Sequence, residues 1–112
     1  MPVVILASFP NSRIKPRAAR SQGSTDIITV PVGSPAALVV PANPDRTDLA
    51  LRNLDSIQSV WYGYAPTIDG TVTGEGFELK PLEEKDIQGP QAVYVYNGGP
   101  NPVNVVFDEG SG

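Results

Sequence analysis

Ala92-Val-Tyr-Val-Tyr-Asn97, Gly98-Gly-Pro-Asn101 and Pro102-Val-Asn-Val-Val-Phe-Asp108, taken as one unit, decide the fold. The first segment alternates valine with tyrosine, the period-two signature of a half-buried strand. The second is a turn, because its glycines tolerate positive φ and Pro100 fixes the exit. The third is another β-prone run. Upstream, Thr47–Asn53 repeats the grammar, with Leu49 and Leu51 on one face and Asp48, Ala50 and Arg52 on the other. Ile57–Tyr64 follows a Leu-Asp-Ser turn and is rich in β-formers. Phe77–Lys80 alternates again, Phe77 and Leu79 inward. Asp26–Val32 and Ala36–Val40 are shorter runs, and Pro31 marks the first as an edge strand or a bend. Leu49–Asn53 and Val93–Asn97 both end in Asn, and each precedes a turn and a strand bearing Trp61 or Phe107. Two hairpins of like grammar are expected, either paired across a sandwich or alike only as hairpins generally are. Pro81–Ile87 reads as one helical turn or a charged loop.

Proline (12) and glycine (11) are spread through all 112 residues, so the chain is punctuated into many short elements. That favours strands joined by turns over helices. The expected fold class is all-β: a single, jelly-roll-like β-sandwich over residues 26–112, with an extended basic N-terminal arm over residues 1–25. No stretch approaches the roughly 20 apolar residues of a membrane-spanning helix. The short run Val3–Ala7 has no basic side chain before it, so Met1–Phe9 is read as mature protein and not as a leader.

The sequence contains neither cysteine nor histidine. Thiolate chemistry is excluded, and so are nucleophilic arrangements that need an imidazole base. No enzyme is expected, and no cofactor. Glu83, Glu84 and Asp86 cluster, and Asp108 adjoins Glu109, but neither group has the spacing of a calcium loop, and no metal is expected. Gly70–Gly76 lacks the lysine and helix of a phosphate loop and reads as a flexible hairpin tip.

Charge is divided unevenly. Residues 1–25 carry Arg13, Lys15, Arg17 and Arg20 and no acid, whereas the remainder holds four cations against twelve acids, so +4 and −8 sum to −4. Residues 10–25 contain one large aliphatic, Ile14, too little apolar surface to offset the entropy of ordering. The arm is expected to order on a partner, its cations against an acidic surface, with either Val3–Leu6 (Val3 and Ile5) or Ile27–Val30 adding a strand to a neighbouring sheet edge. A solvated tail, or an arm wrapped on its own body or a sister copy, is the plainer alternative. Nucleic acid is not the expected partner, because no stacking residues interleave with the cations.

The aromatics leave two readings open. Tyr62, Tyr64, Tyr94 and Tyr96 form an exposed platform for sugars or a protein interface, or they are half-buried cross-strand packing. Trp61 is expected in the core.

Val40-Pro-Ala-Asn-Pro-Asp-Arg-Thr-Asp-Leu-Ala-Leu-Arg-Asn-Leu-Asp-Ser56, Val60-Trp-Tyr-Gly-Tyr64, Gly76-Phe-Glu-Leu-Lys-Pro-Leu-Glu83 and Gln91-Ala-Val-Tyr-Val-Tyr-Asn97 together resemble a pattern in small virion proteins of tailed bacteriophages. The resemblance covers about residues 38–107 and departs from the pattern at Leu82, where glycine is usual. It implies a capsid decoration or cement protein on the phage head surface. Such a protein binds the major capsid protein through its arm and self-associates, as a trimer for example. A tail-fibre, spike or neck (collar) module binding protein or glycan is the alternative. It implies no catalytic residue, and it gives Arg46, Leu49, Leu51 and Asn53 a role in stabilising the sandwich.

Overall fold

The computed structural model describes residues 22–69 and 76–112. These residues form eight strands: β1 (Gln22–Val30), β2 (Gly33–Val40), β3 (Arg46–Asn53), β4 (Val60–Gly63), β5 (Phe77–Leu79), β6 (Glu84–Asp86), β7 (Val93–Asn97) and β8 (Val103–Ser111). They pair antiparallel into two four-stranded sheets, ordered β1-β8-β3-β6 and β2-β7-β4-β5. That order, with each sheet drawing alternately on both halves of the chain, is the jelly roll. The expected all-β sandwich is therefore the observed one.

The strands form where period-two alternation supplies one apolar face to each sheet. Leu49 and Leu51 of β3, Val103, Val105 and Phe107 of β8 and Val30 of β1 point inward from one sheet. Val39 and Val40 of β2, Val60 and Tyr62 of β4, Leu79 of β5, and Val93 and Val95 of β7 meet them from the other. Phe77 shares the inner face of β5 but lies at its open rim, half exposed, with its ring 5.3 Å from that of Tyr62.

Two sequence expectations are corrected. Pro81–Ile87 is neither a helical turn nor a loop throughout: Glu84–Asp86 form β6, which pairs with Ala50–Arg52 of β3. Lys80–Glu83 is a tight turn closed by Glu83 N–H donating to Lys80 O at 3.0 Å, with Leu82 at φ 62°. The two expected hairpins are not hairpins, since β3 and β8 belong to one sheet and β4 and β7 to the other. Each Asn-ended strand instead hands the chain across to the opposite sheet. Pro31 acts as expected, ending β1 where the chain leaves one sheet edge for another. Of the residues read as arm, 1–25, residues 1–21 lie outside those described, and Gln22–Thr25 belong to β1. The Gly70–Gly76 tip also falls outside them, except for Gly76.

Candidate functional site

The two crossovers are built alike. Asn53 and Asn97 are fully buried at the ends of β3 and β7. Asn53 Nδ2 donates to Gln58 O (2.8 Å) and Leu79 O (3.1 Å), while its Oδ1 accepts from Asp55 N–H at 2.8 Å. Asn97 Nδ2 donates to Asn101 O (2.8 Å) and Val30 O (3.2 Å), and its Oδ1 accepts from Gly99 N–H at 3.0 Å. In each corner one amide folds the chain back two residues on, as an Asx turn does, and ties the corner to a strand of the sandwich. A buried amide is tolerated there because its donors and acceptor are satisfied.

Gln58 locks the corners together. Its Nε2 donates to Asn97 Oδ1 (3.2 Å) and Asn101 O (2.9 Å), and its Oε1 accepts from Asn101 N–H at 3.0 Å. The Gly98-Gly99 turn lets these side chains come close. A methyl group at Gly99 would fall 2.5 Å from Gln58 Nε2, and one at Gly98 would fall 3.0 Å from the Tyr96 ring. The sequence places glycine where two side chains lie against the backbone.

Beside this junction, on the outer face of the β2-β7-β4-β5 sheet, lies a groove of about 360 Å³ lined by Trp61, Tyr96, Asp69, Gln58, Ser59 and the Gly98-Gly99 turn. Trp61 of β4 is directly opposite Tyr96 of β7 and, on its other side, Glu78 of β5. Pairs in such register bring their side chains side by side on one face. Ser59 Oγ donates to Glu78 Oε2 at 2.8 Å, fixing that carboxylate at the groove margin.

The expected site residues fare unevenly. Trp61 is not in the core; it is half-buried, pointing away from the neighbouring inward residues Val60 and Tyr62. The four tyrosines do not share one exposed face. Tyr62 is buried in the core, and burial pushes its phenol up, with the nearby Tyr64 adding to the shift. Tyr64 is exposed beyond the end of β4. Tyr94 lies on the outer face between Leu38 and Gly63, and only Tyr96 reaches the groove. Val3, Ile5, Arg13, Lys15, Arg17 and Arg20 lie outside the described residues.

Sequence reasoning missed Gln58, Ser59, Asp69 and the outward Trp61. In Ile57–Tyr64 both phases of the alternation carry apolar residues, so the period alone does not say which faces in. The register with β5 decides it: Glu78 sits on the polar phase, and its partner is Trp61.

The framework below is separate from the groove. Arg46 has a side chain 2% exposed; its Nε meets Glu109 Oε2 at 2.9 Å, and its other nitrogens donate to Gly89 O, Gln91 O and Pro41 O at 2.8–2.9 Å. It ties β3, β8 and the loop before β7 together. Among the described residues no group of acidic side chains is arranged to hold a metal ion.

No family model and no curated protein matches the chain. Among solved structures it is similar to the cupin_2 domain of an XRE family transcriptional regulator from Enterobacter cloacae, at 12% identity over 77% of this chain and 97% of that one, with a TM-score of 0.48. At that distance nothing of the regulator's activity passes to this chain. The comparisons supply no phage relative: the structure found is a domain of a transcriptional regulator, and the other two find no match. The resemblance to tailed-phage virion proteins is corrected accordingly. With it go the decoration or cement function, the tail-fibre and neck alternatives, and the location on a phage head.

Proposed function

We propose that this chain is a non-enzymatic binding domain whose ligand seats in the groove between Trp61 and Tyr96. One observation carries the reading. The single tryptophan of the sequence is held on the outside of a sheet, next to a tyrosine, over a depression that a rigid double corner supports. Large aromatics on rigid strands are the side chains best suited to anchoring a ligand, since they bring area at little entropic cost. The groove's volume falls in the range of small-molecule sites, roughly 300–1,000 Å³. A non-enzymatic role is supported by the side-chain inventory: the sequence has no histidine or cysteine, and Gln58 and Ser59 are engaged in framework hydrogen bonds, so the groove offers neither an imidazole base nor a thiolate nucleophile.

The test is a thermal-shift screen of the full chain against saccharides, amines, carboxylates and nucleosides, repeated on Trp61→Ala and Tyr96→Ala. A ligand that binds only the folded state at a hundred times its Kd stabilises by about 2.7 kcal/mol. The expected result is a concentration-dependent rise in Tm for one chemical class, abolished in both variants. Shifts that persist unchanged in Trp61→Ala, or none in any class, overturn the reading.

A further inference from the structure

Resting on that groove, we infer that its ligand is an alkylated ammonium head group, free as in choline or carried on a methylated lysine side chain. The argument turns on which polar groups the groove has to offer. Gln58 spends its amide on Asn97 and Asn101: both protons are donated there and its oxygen already accepts. Ser59 commits its hydroxyl proton to Glu78. A saccharide, recognised through many hydrogen bonds, finds these partners engaged. The other side chains lining the groove are two aromatic rings and the carboxylate of Asp69.

That combination suits a cation that needs no hydrogen bond. Asp69 lines the groove, Glu78 flanks Trp61 in register, and among the described residues neither lysine nor arginine lines it. A fixed carboxylate keeps its charge while it accepts a hydrogen bond, so its attraction for a cation persists. The indole is the strongest cation–π partner among side chains, and a tyrosine beside it adds a second face. The surroundings act in the same sense, since residues 26–112 carry four cations against twelve acids. A trialkylammonium group also keeps its weakly hydrated methyl surface against the rings, which a bare ammonium ion does not.

Isothermal titration of the full chain with choline, with a trimethyllysine peptide and with 3,3-dimethylbutanol tests the inference. The last is a neutral isostere of choline, with carbon in place of the charged nitrogen. Either ammonium ligand is expected to bind at least tenfold tighter than the isostere, and the stronger of the two identifies the source. Binding is expected to fall at least tenfold in Trp61→Ala and severalfold in Asp69→Asn, with Trp61→Phe retaining an intermediate affinity. Quenching of the Trp61 emission provides a second readout in the native chain. Equal binding of the isostere, or unchanged choline affinity in Trp61→Ala, overturns the inference. If a neutral compound binds in a Trp61-dependent way while no ammonium ion does, the cation inference fails and the groove reading stands. If none of the three binds, the cation inference fails, and the groove reading is decided by the thermal-shift screen.

Discussion

Leu82 holds a backbone conformation that favours glycine: φ is 62°, at the third position of the Lys80–Glu83 turn, directly after Pro81. Proline second and positive φ third is the type II pattern, in which a Cβ is strained. The side chain is half exposed and recovers little by burial. Leu82→Gly is expected to stabilise the protein by about 0.5–1 kcal/mol, read as a higher urea midpoint at unchanged m-value. The departure from glycine at this position was visible in the sequence; its cost required the φ angle. Asn53 and Asn97 were equally visible as the residues ending two alternating runs. Their function was not, because an alternating strand ending in Asn does not reveal that its amide will be buried and bonded to three backbone groups. Replacing either by Ala strands those groups inside the sandwich, at about 2–3 kcal/mol each. Equilibrium unfolding of the two variants should give similar losses, since the two corners are constructed alike.

At the scale of elements, the strands with one clear apolar phase, β3, β7 and β8, were legible within a few residues. β6 was not. Glu84-Lys85-Asp86 has no apolar alternation, and it is a strand because β3 offers a free edge that it covers with charged side chains. Tertiary pairing, not local preference, makes it so. The crossovers were misread for a related reason: a turn of four to six residues between two β runs fits a hairpin and a sheet-to-sheet corner equally well. The turn leading into β6 is held by Glu83, whose Oε1 accepts from Lys80 N–H at 2.8 Å. That backbone hydrogen bond, aided by Lys85, lowers the Glu83 carboxyl below its usual value. A lowered folded-state value means that the contribution is complete above the unfolded carboxylate's range and is lost as pH falls through the folded one. Glu83→Gln keeps an acceptor without the charge. Its urea midpoint is therefore expected to fall less than that of the native chain between neutral pH and about pH 3. An identical acid dependence in the two proteins would remove Glu83 from the turn's support.

At the scale of the whole molecule, the fold class followed from punctuation and period, and the site did not. The basic segment lies in residues 1–25, while the groove is assembled from five places: the β3–β4 corner, β4, the segment after it, β7 and the β7–β8 turn. No spacing rule links Gln58, Asp69 and Gly99. They meet because the jelly roll places β4 beside β7 and because two buried amides bring their corners to one end. The order of strands also settles the direction of the indole. With Val60 and Tyr62 inward, Trp61 must face out, which makes the anchor of the proposed site a consequence of register.

That consequence can be measured in the absence of any ligand. The sequence has one tryptophan, so acrylamide quenching of the emission reports on Trp61 alone. The account predicts measurable quenching in the folded protein, intermediate between that of a core indole and that of the urea-unfolded chain, and an increase when Tyr96 is replaced by Ala beside it. An indole shielded from acrylamide until the protein unfolds would put Trp61 in the core and contradict the groove from which everything functional is argued.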